Sequence, residues 1–257
     1  MNEAFAKMQK ASNQRSVEST EIDFDSILKQ KLEKLPKLAK DSINLQLERV
    51  ASSKDDAQNV LLLRSISRIW ENNLAAGPTA YYKEKVAETQ SSYTNLLEAA
   101  EQYYIAGKVE KDTLLNPWYA GKAAELYDKA INSNGQTNVL DAKVGLAKTN
   151  IELQNEVMKG VFALRDVVAE DSTHVEANLV LGRLSIFSKQ YDKAIKRLKN
   201  VVRWEPKNTE ALYYLGEAFV GIGDKENALE NFEKCKSLVE SPAFKRELDQ
   251  YIKSIIN

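Results

Sequence analysis

Residues 177–206 read ANLVLGRLSIFSKQYDKAIKRLKNVVRWEP, and residues 211–235 read ALYYLGEAFVGIGDKENALENFEKC. The two stretches are one pattern written twice. Leu181-Gly182 returns as Leu215-Gly216 after 34 residues, and Ala194, Leu198 and Val201 return at the same offset as Ala228, Phe232 and Cys235. Within each copy the apolar residues recur at three and four, the spacing of a helix face. An acid, Asp192 or Asp224, stands in the turn between the two helical runs, and Pro206 stops the second run of the first copy. A fixed period in the range of roughly 20–50 residues marks a stacked array, because a single helix pair cannot bury its apolar face without a neighbour.

These residues resemble the tetratricopeptide repeat, whose helix-turn-helix unit is ~34 residues long. The resemblance rests on the Leu-Gly pair of the first helix, the acid in the turn, the small Ala of the second helix and the terminal Pro206. Gly182 and Gly216 allow close approach of the paired helices, and Ala194 and Ala228 are expected to face that contact. The match has gaps: Asn178 and Leu212 replace the usual early aromatic, and Glu240 stands where the second copy would carry its proline. A weaker unit covers 138–173, with Gly145, Gly160, Leu164 and Val167 aligned; Gly145 to Gly182 spans 37 residues, which implies a turn three residues longer.

Working outward, the array is expected to occupy 138–257, as units 138–173, 174–208 and 209–241 with an amphipathic capping helix over 242–256. Residues 22–137 read as irregular helical pairs and 1–21 as a flexible polar tail. Phe24, Ile27, Leu28, Leu32 and Leu35 give a short helix ended by Pro36, and a second helix runs over about 37–51. Ser53 with Asp56 reads as a capping box for the next helix, which Gly77-Pro78 is expected to close. The following helices are expected to end at Gly107 and to open at Pro117-Trp118, with NSNGQTN (132–138) as a loop. The resemblance implies an all-α, right-handed α-solenoid of such helix-turn-helix repeats.

Composition agrees and excludes other classes. Ten Gly and five Pro in 257 residues are about half the usual share, which disfavours turn-rich β folds and glycine-rich phosphate loops. One His and one Cys can form neither a zinc cage nor an internal disulfide. No GxGxxG, GxxxxGK[ST] or HExxH motif occurs. His174 reads as a solvated turn residue and Cys235 as a buried filler, so no enzyme, metal or cofactor is expected. The charge balance is near neutral, with 36 basic and 37 acidic residues. No run of about 18 apolar residues is present to cross a membrane, and the N-terminus lacks the apolar core of a secretory signal. Cytoplasm is the default compartment, with periplasm or an anchored form left open.

The family's usual work is recognition of a protein or peptide along the concave wall of first helices. Carried onto this register, the resemblance assigns Asn150, Leu179, Arg183, Ile186, Phe187, Tyr213, Glu217 and Val220 to that groove. Some family members clamp a terminal carboxylate with Lys, Asn and Arg; the stations here hold Leu179, Arg183, Tyr213 and Glu217, so no such clamp is carried over. Two basic stretches stand out: 29–40 (five Lys against Glu33) and 189–203 (six basic residues against Asp192). They read as solvated outer faces, ahead of a nucleic-acid or anionic-surface contact. Residues 208–240, with seven acids against three Lys, carry the opposite sign. The expected function is therefore a non-enzymatic scaffold or adaptor, with a self-assembling module as the alternative.

Overall fold

The computed structural model describes residues 22–110, 112, 114–133 and 138–256. The tail read at 1–21 and the centre of the 132–138 loop lie outside them. Among the described residues there are thirteen α-helices and no strands. Two leading helices, α1 (Phe24–Glu33) and α2 (Lys37–Ser52), are followed by five pairs. These are α3 (Asp56–Asn72) with α4 (Ala76–Thr89), α5 (Tyr93–Val109) with α6 (Asn116–Ile131), and α7 (Leu140–Glu152) with α8 (Val157–Glu170). The last two are α9 (Val175–Phe187) with α10 (Tyr191–Trp204) and α11 (Thr209–Gly221) with α12 (Lys225–Leu238); α13 (Pro242–Ile256) packs on α12. From α2 onward each helix packs against the next, and α5, α7, α9 and α11 also touch in succession. They form one wall of an α-solenoid, and the second helices form the other.

Short polar side chains start many of these helices. Asp23, Ser92, Asn208 and Asp224 each accept a hydrogen bond from a free first-turn N–H, a contact worth ~1 kcal/mol. At α3 the cap is Asp55, which takes the N–H groups of Ala57 and Gln58; Ser53 sits outside and receives the N–H of Asp55. The capping box read at Ser53 is thus two residues early, because the aspartate reaches two donors where a serine oxygen would reach fewer.

The turns explain two further differences. Helix α3 ends at Asn72–Leu74 and not at Gly77-Pro78: Leu74 adopts φ 56°, its N–H reaches Glu71 O, and Ala75 N–H reaches Trp70 O. This pair of bonds is the Schellman closure of a helix end. Gly77 and Pro78 lie in the first turn of α4 and are buried. Gly107 likewise does not end α5; it is buried inside the helix, where an added Cβ would stand 2.9 Å from Leu153, the C-cap of α7.

Left-handed residues recur at Asn155, Lys189 and Gly223, 34 residues apart, each in the turn inside a pair. The second helices of the last three pairs start at 157, 191 and 225, at the same spacing. The first helices start at 140, 175 and 209, so the turn in the 138–173 unit is one residue longer, not three. Gly145 does not share the station of Gly182. Ala147 is the eighth residue of α7, as Gly182 is of α9, and Gly160 packs on its carbonyl; Gly145 instead lies under the ring of Tyr127 in the preceding pair.

At Gly182 and Gly216 the close neighbours are Leu198 and Phe232, again 34 apart. A Cβ would stand 2.8 Å and 2.6 Å from their side chains. The large residues thus occupy the glycine contacts, and Ala194 and Ala228 are fully buried. Asn178, at the early aromatic station, is buried and polar: its Nδ2 donates to the carbonyls of Ser172 and His174, and its Oδ1 accepts from Arg197. The N-terminal pairs use aromatic bulk instead. Phe24 of α1 stacks on Trp118 of α6 at 4.5 Å and meets Tyr81 of α4 at 5.6 Å, which seats α1 on the second helices.

Candidate functional site

The wall made by α5, α7, α9 and α11 carries a ladder of charges centred on Glu152, at the C-terminus of α7. Glu152 Oε2 accepts from the Tyr104 hydroxyl at 2.6 Å and from Lys108 Nζ, both on α5. Its Oε1 accepts from Arg183 of α9, and Arg183 in turn reaches Glu210 of α11 at 3.5 Å. Lys148 of α7 pairs with Glu176 of α9 at 2.6 Å and lies over the Tyr104 ring. Four successive first helices are joined in this way. Burial alone would raise the Glu152 carboxyl, but the hydrogen bonds from Lys108 and Tyr104 and the charge of Arg183 outweigh it and hold the pKa at about 2.

The structure distributes the eight groove residues unevenly. Asn150 and Leu179 are buried, and among the described residues Asn150 Oδ1 has no hydrogen-bond partner. Arg183 is committed to the ladder. Ile186, Tyr213 and Val220 are partly buried against the C-terminal core, where Tyr213 also packs on Phe232 and Phe244. Glu217 has its Oε1 buried and unpartnered; burial pushes its carboxyl up, against a hydrogen bond with Tyr251 that lowers it. Phe187 is 72% exposed and lines a cleft between α8 and α10 together with Leu181 and Leu184. At about 100° per residue Leu181 and Leu184 face away from Ile186, whereas Phe187, four residues after Arg183, stands at the edge between the two faces.

Sequence reading did not find Tyr104, Lys108, Glu152 or Glu210, because contacts between residues 27–48 apart leave no local spacing to recognise. Nor did it find the buried Glu84, which accepts from Tyr103 and pairs with Lys122 at 2.8 Å. His174 is not a solvated turn residue. It caps α9, with Nδ1 accepting from Ala177 N–H at 3.4 Å and Nε2 3.2 Å from Asp141, and its side chain is only 11% exposed. Cys235 is buried, its Sγ 3.3 Å from the Thr209 carbonyl, and burial pushes its thiol pKa up. Among the described residues no cluster of three His, Cys, Asp or Glu could hold a metal, and no helix is long and apolar enough to cross a membrane.

Paired helices at a fixed repeat, a wall of contacting first helices and a capping helix define an α-helical repeat solenoid. Residues 209–239 match the family described as tetratricopeptide repeat, and the chain is a solenoid of tetratricopeptide-repeat type. Among solved structures it is similar to MamA 41-end from Desulfovibrio magneticus RS-1, at 18% identity and TM-score 0.50, over 70% of this chain and 94% of that one. The MamA RS-1 ArsTM double mutant aligns at 18% identity and TM-score 0.50, over 70% and 93%. At this identity the likeness is one of fold. Over 57 residues the chain is 42% identical to cellulose synthase operon protein C of Escherichia coli strain K12, covering 22% of this chain and 5% of that protein. The match thus spans about one twentieth of the length of that curated relative.

Proposed function

We propose that the protein is a non-enzymatic scaffold, with 138–257 as its binding unit and a partner polypeptide as its ligand on the first-helix wall. The supporting observation is where the charge ladder stops. Up to Arg183 and Glu210 the wall's charges are spent on one another. Beyond them, α9 and α11 offer partly exposed Ile186, Tyr213 and Val220. A row of apolar anchors on one wall suits an extended or helical segment that brings apolar side chains of its own. A catalytic reading has little to stand on, since the only histidine caps a helix and the only cysteine is buried.

The test is crosslinking and mass spectrometry on a pull-down from the native host, comparing the parent chain with Ile186→Lys and Val220→Lys. Both changes put a cation on the apolar part of the wall at partly buried positions, and circular dichroism checks that the fold persists. Loss of the crosslinked partner at unchanged helical circular dichroism is expected; full retention by both variants refutes the assignment.

A further inference from the structure

The cleft on the other side of α9 is independent of that wall and goes beyond the reading above. We infer that it is a second binding site, whose ligand is an amphipathic peptide segment carrying acidic side chains. Its volume is about 400 Å³, within the ~300–1,000 Å³ of ordinary ligand pockets. Val161 of α8 and Leu181 and Leu184 of α9 give it an apolar floor. Arg165 of α8 and Lys193 and Arg197 of α10 stand around that floor. Met158 and Phe187 form its lips and are 58% and 72% exposed, a flexible thioether and a ring available to a partner's apolar side chains.

The charge arrangement identifies the ligand. Elsewhere in the molecule several partly buried cations sit on carboxylates, among them Lys31 on Glu110, Lys122 on Glu84, Lys148 on Glu176 and Arg183 on Glu152, while Lys83 reaches only Gln102 Oε1. Among the described residues the three cations of the cleft have no carboxylate partner. Lys193 reaches only Gln190 Oε1 at 2.7 Å, and Arg197 only Asn178 Oδ1 at 3.3 Å. Arg197 is half-buried, and burial together with the neighbouring charge of Arg165 pulls its pKa down. Two like charges gathered over an apolar floor lack a counter-charge, and a ligand carboxylate would supply it. A bare anion would leave the floor and lips uncovered, whereas a peptide with apolar residues on one face and Glu or Asp beside them covers both. A second copy of this chain is the weaker occupant. Its acidic α12 already holds Glu230 on Lys234 and Glu233 on Lys236.

The experiment uses the full chain and two fluorescein-labelled synthetic peptides of about twelve residues with Leu at the i, i+3, i+4 and i+7 positions of a groove-binding helix. One is filled with Glu and one with Lys. Fluorescence anisotropy is expected to show binding of the Glu peptide alone, weakening as salt rises. Arg165→Glu and Lys193→Glu, both at exposed positions, are expected to weaken it about ten-fold or more at unchanged helical circular dichroism. Ile186→Lys on the opposite wall is expected to leave it unchanged, which separates this site from the proposed groove. The inference is overturned if neither peptide binds, if both bind alike, or if the charge reversals have no effect. It is also overturned if a single-stranded oligonucleotide or phosphatidylglycerol vesicles displace the Glu peptide more effectively than unlabelled Glu peptide does, or if light scattering shows a self-association that competes with it.

Discussion

Replacing Gly216 with Ala isolates what the repeat demands of its packing. In an exposed helix interior the change should stabilise, because Gly is ~0.8–1 kcal/mol poorer than Ala there. At Gly216 the new Cβ would lie 2.6 Å from Phe232 Cε1 and 2.8 Å from Cδ1 and Cζ, close to an ångström inside normal contact. The ring cannot yield easily: Phe232 is fully buried, with Tyr213 on one side at 5.7 Å and Tyr251 on another at 5.6 Å between centroids. Overpacking of this kind costs ~1–3 kcal/mol. Gly121 supplies the matched control, since it lies in α6 with nothing within 4 Å of an added Cβ. Gly121→Ala should therefore gain up to ~1 kcal/mol, and Gly216→Ala should fall ~1–3 kcal/mol below it. At ~2–4 °C per kcal/mol for a chain of this size, the two melting temperatures should separate by several degrees. Differential scanning calorimetry on the parent and both variants makes the measurement, with hydrogen exchange locating the loss in α11 and α12. Equal stabilisation by both substitutions would refute the close helix contact on which the repeat assignment rests.

Other expectations follow from the same geometry. The Glu152 carboxyl is held at about 2 when folded against an ordinary 4.5. Its folded pKa is depressed, so its contribution is complete above the unfolded value and is lost as pH falls from 4.5 towards 2. After allowance for solvent screening the contribution is ~1–2 kcal/mol. Urea midpoints between pH 6 and pH 2.5 should fall less steeply for Glu152→Gln, and an identical slope would show the ladder to be inert. Leu74 and Lys189 hold left-handed conformations at φ 56° and 58° and are exposed. Glycine should relieve each, raising stability by ~0.5–1 kcal/mol; a loss at either site in urea titration would mean that the side chain contributes contacts after all.

The helical period, the 34-residue offset, the final Pro206 and the acid-led turns are local properties, and they were legible one residue at a time. Helix phase and capping depend on neighbours within about four residues, which explains why α9 to α13 could be placed from sequence. The weaker unit at 138–173 was readable in its second helix, where Gly160, Leu164 and Val167 keep the 34-residue register, but not in its first. There the residue at the glycine station is Ala147, and the nearby Gly145 is small for a different reason, its contact with Tyr127.

Chemistry between pairs required the folded chain. Nothing near Glu152 in sequence shows that Tyr104, Lys108 and Arg183 converge on it, and nothing near Arg165 shows that Lys193 and Arg197 stand across a cleft without an acid among them. His174 read as exposed because its sequence neighbours are polar, yet the turn folds back and places it under Asp141. The sequence by itself determined a stacked helical array, because hydrophobic periodicity and repeat length act through contacts a few residues or one unit apart. Tertiary structure alone decided which side chains face one another across units, because the superposition of helices fixes those distances and a one-residue change in one turn rotates the register.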